Sequence, residues 1–175
     1  IKIYTPSNAK IADIISRRVF KERGISYIRL DKGIHDFNGL YSKINPKQDF
    51  HILKKSKKKI CIIGYGITLK NIIENKKLQT IDATIIDLFC LSDDNSKLIN
   101  FIKNFKKIII IEEAYENCSL ASILALKLIK FKNIQFLSIG IKNNQYFDYG
   151  SRSFQINKHM LNSKKINKII NFLKI

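Results

Sequence analysis

The chain has 175 residues and carries 32 Lys and Arg against 14 Asp and Glu, a net charge of +18. That length suits one domain, or one domain plus a piece of another, and can bury about 70% of the surface exposed by the unfolded chain. Three widely spaced cysteines with no CxxC argue against a disulfide framework or a zinc site and for a reducing, cytoplasmic setting. Apolar runs are strand-length, well short of the roughly 20 residues a membrane helix requires, so no membrane partner is expected. No signal peptide is evident, and the opening at Ile1 instead of Met leads us to expect a segment upstream.

The positive charge is a poor pointer to nucleic acid. Of the 32 basic residues 27 are Lys and five are Arg, whereas base and phosphate recognition favours the planar Arg fork. Ile, Lys and Asn fill 78 of the 175 positions, which reads as an AT-rich coding bias spread over solvated faces. The one dense basic run, "KKSKKK" at 54–59, falls in a connector. No nucleic-acid partner is expected.

In chain order, "IKIY" reads as a short strand ending in the turn "TPSN", whose polar residues cap a helix over "AKIADIISRRVFKER". Gly24 stops that helix, and "SYIRL" (26–30) is the next strand. Residues 34–59 hold no sustained period, contain Gly39 and Pro46, and read as a connector. The alternation then becomes regular. Strand "KICIIGYG" (59–66) leads to helix 67–78, strand "DATIIDLFCL" (82–91) to helix 96–105, and strand "KIIIIEE" to helix 119–131. A strand at 133–140 and a helix at 162–175 complete the pattern. Strands alternating with helices of this length imply right-handed crossovers and a mostly parallel sheet covered on both faces.

Several residues invite a chemical reading. "GYGITL" places Leu69 where a dinucleotide fingerprint needs its third glycine, so a tight strand-to-helix turn suffices. Asp87 lies inside a buried strand, where a carboxylate accepts hydrogen bonds from loop amides or caps a helix more often than it catalyses. His35, His51 and His159 are scattered and read as surface or interface residues. Cys61, Cys90 and Cys118 read as small core residues, with Cys118 in a strand-to-helix loop where a helix N-terminus would lower its pKa. Arg29 sits within an apolar strand of five residues and needs either a phosphate to hold or an acidic partner in a neighbouring unit. Glu112 and Glu113 follow four isoleucines, and their charge is expected to take the chain out of its sheet. Side chains of adjacent strand residues point to opposite faces, which disfavours shared ligation by this pair.

With these residues in view, the chain resembles the transketolase family of thiamine diphosphate enzymes. "IYTPSNAKIADII" is similar to that family's strand, turn and helix at the end of the pyrimidine-binding domain, and "YIRLDKG" to its "YIRL-RG" turn. "CIIGYGITLKNII", "ATIIDLFCLSDDNSKLI", "IIIIEEAYENCSLAS" and "LSIGIKNNQYFDYGSRSF" resemble successive segments of its C-terminal domain. The family's "GG" is replaced here by Asn117-Cys118, and its "PlD" acid survives at Asp93 or Asp94 without the proline.

The resemblance implies a three-layer α/β/α domain with a mostly parallel five-stranded sheet containing one antiparallel strand, preceded by part of a second α/β domain. The divisions expected are residues 1–45 for the end of the pyrimidine-binding domain, 46–58 for a linker, and 59–175 for the C-terminal domain. The implied role is the C-terminal portion or subunit of an enzyme transferring a two-carbon ketol unit between sugar phosphates. Arg29 matches an arginine that contacts the substrate phosphate. No catalytic, cofactor-binding or metal residue is expected in the segment, since thiamine diphosphate and Mg bind outside it, and alone it should be inactive. The implied partners are a second copy, or a diphosphate-binding domain or subunit, together with a sugar phosphate substrate. Deoxyxylulose phosphate synthase, a 2-oxoacid dehydrogenase beta subunit and a non-catalytic dimerisation or support module are the alternatives.

Overall fold

A computed structural model of the chain describes residues 1–32, 38–41, 44–92, 95–116 and 119–174. The N-terminal unit is a crossover: β1 (Lys2–Tyr4), α1 (Ala9–Lys21) and β2 (Ser26–Ile28), with β1 and β2 paired in parallel. Asn8 caps α1, its side chain accepting from the Ile11 amide at 2.9 Å. Ile11 and Ile15, one turn apart, are buried.

The larger unit is a sheet of five strands: β3 (Phe50–Lys54), β4 (Ile60–Gly64), β5 (Thr84–Leu88), β6 (Lys107–Tyr115) and β7 (Gln135–Ile141). Their order is β3-β5-β4-β6-β7; edge strand β3 runs antiparallel to β5 and every other pairing is parallel. Strand alternation divides the isoleucines between two cores. Ile63, Ile86, Ile108 and Ile110 face α4 (Ser96–Ile102) and α5 (Leu120–Leu128). Ile62, Ile85, Ile109 and Ile111 face α2 (Ile67–Glu74), α3 (Lys76–Gln79) and α7 (Ser163–Lys174). This is the three-layer α/β/α arrangement expected from the resemblance.

Several details depart from the sequence reading. The stretch taken as a connector contains β3, a strand flanked by lysines and too short to reveal a period. Helix 67–78 is two helices, because the Asn75 side chain accepts from the Lys77 and Leu78 amides and starts α3 afresh. Between β7 and α7 the chain forms α6 (Arg152–Gln155) and a π-helical turn (Ile156–Met160) that no periodicity announces. The strand β6 continues through Glu112 and Glu113 to Tyr115, where the sequence reading has the chain leave the sheet. Its regular pairing with β7 breaks after Ile111 and resumes only at Tyr115 with Ile141.

The N-terminal unit docks on the carboxyl end of β5. Backbone bonds run from the Thr5 amide to the Phe89 carbonyl (2.9 Å) and from the Leu91 amide to the Ile3 carbonyl (2.8 Å). Tyr4, Ile11, Ile15, Tyr41, Phe89 and Cys90 form a buried cluster between the units. Arg18 seals the edge, donating to Glu22 and Asp49 at 2.8 Å.

Candidate functional site

The carboxyl ends of β1, β2, β4 and β6 converge on one cleft of about 390 Å³, bordered by Thr5, Arg29, Asp31, Gly66, Glu113 and Arg152 among others. Open α/β sheets bind ligands in this place, because the connections diverge there and leave a crevice. Gly66 lines the cleft. Its φ of +53° lies in the left-handed region, and a Cβ there would stand 2.8 Å from Thr5 Cγ2.

Charge in the cleft is organised around Glu113. Arg152 Nη2 donates to Glu113 Oε2 at 2.5 Å while its Nη1 donates to Asp31 Oδ1 at 2.5 Å. Arg29 Nη2 stands 4.0 Å from the same Glu113 oxygen, and the Arg29 side chain is 44% exposed. Arg29 is therefore not in mid-strand: β2 ends at Ile28, and the arginine follows it into the cleft. Arg152 was not a candidate from sequence. Its only signals were that it is one of five arginines and lies in the quoted "YGSRSF".

Glu112 faces the other way and is fully buried. Its Oε1 accepts from the Ala121 amide (3.0 Å) and its Oε2 from the Leu120 amide and the Tyr65 hydroxyl (both 3.1 Å). A carboxylate at the start of α5 meets two unpaired amides and the positive end of the helix, which is why a charge is tolerated inside an isoleucine strand. The two glutamates thus separate, as strand alternation requires.

Asp87 is the second buried carboxyl. Its Oδ2 accepts from Ser7 Oγ (2.5 Å) and the Tyr41 hydroxyl (2.9 Å), so hydroxyls of the N-terminal unit replace the loop amides expected from sequence. Burial pushes its pKa up to about 7 against the opposing pull of those two bonds. His51 pairs with Asp87 across β3 and β5 and stacks on Tyr41 at 5.4 Å; burial lowers its pKa. His159 packs at a tilt against Tyr146, ring centroids 4.3 Å apart, and lies 2.9 Å from Asp148. Cys61 and Cys90 are buried, and burial pushes the Cys61 thiol up, away from reactivity. His35, Asp93, Asp94, Asn117 and Cys118 fall outside the described residues. Gly64 and Gly66 make the tight turn into α2 that the broken glycine pattern suggested.

Among the described residues no three His, Cys, Asp or Glu side chains come together as a metal site. The cleft instead sets two guanidiniums against two carboxylates, with Arg152 bonded to both acids.

Fold and cleft together define an open α/β module whose polar residues gather at the carboxyl ends of its strands. The family model "Transketolase, C-terminal domain" matches residues 50–166, and the chain belongs to that family. Among solved structures it is similar to "Split gene transketolase, inactive beta4 tetramer", with a TM-score of 0.78 at 20% identity. That match covers 97% of this chain and 56% of the other, so this chain spans little more than half the length of that relative. No curated protein matches it by sequence. No helix among the described residues is long and apolar enough to cross a membrane.

Proposed function

We propose that this chain is the C-terminal portion, or a C-terminal subunit, of a transketolase-like enzyme that moves a two-carbon ketol unit between sugar phosphates. Arg29 holds the phosphate of the substrate. The observation that carries this reading is the unequal use of the two arginines. Arg152 is committed to Glu113 and Asp31 at hydrogen-bond distance, whereas Arg29 stops 4.0 Å short of Glu113 with its guanidinium open to the cleft. A phosphate entering the cleft meets a fork held only by a 4.0 Å ion pair to Glu113, and a charge-assisted contact of this kind contributes about 1.5–3 kcal/mol.

Thiamine diphosphate supplies the carbanion chemistry when bound. We assign it and its Mg to a diphosphate-binding domain or subunit outside this segment. Residues 1–45 are then the end of a pyrimidine-binding domain and 59–175 the C-terminal domain; the stretch between them contributes β3. An assembly with a second copy or with a diphosphate-binding chain, in the cytoplasm, follows from this reading. In support, the similar solved chain is described as a split-gene transketolase in a tetramer.

The test uses the assembled enzyme. Arg29→Ala should raise KM for phosphorylated sugars about tenfold or more while changing KM little for unphosphorylated analogues. Equal changes for both substrates would remove Arg29 from the phosphate site. An assembly that forms with its diphosphate-binding partner yet transfers no ketol unit would make this chain a support module.

A further inference from the structure

A second pocket opens at the carboxyl end of edge strand β7 and shares no lining residue with the Arg29 cleft. It measures about 470 Å³, within the range of small-molecule sites. Its walls come from three places. Lys142 follows β7, Lys158 and His159 lie in the π-helical turn, and Lys164, Lys165 and Lys168 lie in the first two turns of α7, just after Asn162, which accepts from the Lys165 amide. Five lysines therefore surround one cavity, and Glu116 is the single acidic group in its lining.

The lysines are not equivalent. Lys165 is nearly buried at 12% exposure; its ammonium donates to the Gly140 and His159 carbonyls and lies 3.8 Å from Glu116. Lys158 is paired with Asp148 at 2.5 Å. Among the described residues no carboxylate lies within ion-pair distance of Lys142, Lys164 or Lys168.

Two features make this cluster costly as it stands. Burial holds the Lys165 ammonium below its ordinary pKa, and the charges of Lys142 and Lys168 push the same way against the pull of Glu116. In addition, Lys164 and Lys165 occupy the first turn of the twelve-residue α7, whose positive end disfavours cations, and no acidic residue sits there to compensate. A solvated lysine face has no reason to close around a cavity; one that does is relieved by an anion, whose charge answers the lysines and the helix end together.

We propose that this pocket binds a small diphosphate-bearing metabolite, its phosphates held by Lys142, Lys168 and the first turn of α7, with Lys165, bonded to the Gly140 and His159 carbonyls, as a fixed positive charge behind them. The cavity is wide enough for an organic group beyond the phosphates, and the rings of Tyr146 and His159 form part of its wall.

The probe is inorganic pyrophosphate, titrated calorimetrically into the protein at fixed ionic strength. One saturable site is expected. The double variant Lys142→Gln, Lys168→Gln changes only exposed side chains and should weaken binding about tenfold or more. An equally charged control at the dense basic run, Lys57→Gln with Lys58→Gln, should leave the affinity within about twofold, and Arg29→Ala should do the same. The absence of saturation, an equal loss in the Lys57/Lys58 control, or a loss confined to Arg29→Ala would overturn the assignment. The last outcome would place the probe in the Arg29 cleft and leave the reading of that cleft intact.

Discussion

The buried carboxyls of β5 and β6 and the open cleft at the carboxyl ends of β4 and β6 use the same kinds of side chain to opposite ends. In the interior, Glu112 and Asp87 are fully buried and every bond they accept comes from a group fixed by the fold: two amides of α5 and the hydroxyls of Tyr65, Ser7 and Tyr41. In the cleft, Glu113, Arg29 and Arg152 remain partly exposed and make ion pairs with one another. Buried carboxyls with rigid donors are scaffold, since removing them strands those donors away from water. Exposed pairs screened by solvent contribute little to stability, so their partners can be exchanged for a ligand. The adjacent glutamates fall on either side of this division because a strand turns successive side chains to opposite faces.

The contrast is most easily broken at Glu112. Glu112→Ala leaves two helix amides and a buried hydroxyl without an acceptor and should lower stability by about 3–5 kcal/mol in urea denaturation. A loss under about 1 kcal/mol would mean that water replaces the carboxylate and the start of α5 is not sealed. Asp87 gives a test in pH. Its folded pKa of about 7 lies above the ordinary value of 3.8, so between these limits the folded state keeps a proton that the unfolded state has released. Stability attributable to Asp87 is therefore full below about pH 4, falls as pH rises to about 7, and is flat beyond, a change of a few kcal/mol at most. Subtracting the urea curve of Asp87→Asn from that of the natural protein isolates the slope from other carboxylates. A flat difference would show that Asp87 is ionised in the fold.

Smaller effects are expected where the cleft begins. Gly66→Ala should cost about 1–2 kcal/mol in thermal unfolding, because alanine at that φ is strained and its methyl meets Thr5. Smallest is Glu113→Gln, which should change stability by no more than about 0.5 kcal/mol while strengthening phosphate binding at Arg29, since the competing charge is gone. A stability loss as large as that of Glu112→Ala would make the cleft part of the scaffold and erase the distinction.

What was legible in the sequence follows from the range of the forces involved. Runs such as Ile108–Ile111 and the helical spacing of Ile11 and Ile15 report local geometry, so the alternation of strands and helices, and the sheet it implies, could be read directly. The glycine turn into α2 and the Asn8 cap were legible for the same reason. Strand β3 was not, because an antiparallel edge strand of five residues is held by its partner β5 and not by its own pattern. Nor could Arg152 be chosen from among the basic residues. Its importance lies in meeting Glu113 and Asp31, which are 39 and 121 positions away in the chain. The sequence by itself determined most of the strands and helices, β3, the break before α3, α6 and the π-helical turn apart, and through its motifs the family they belong to. Only the tertiary structure decided which of two neighbouring glutamates is buried, which arginine stays open, and where lysines close around a cavity, because those depend on contacts between residues that no local periodicity connects.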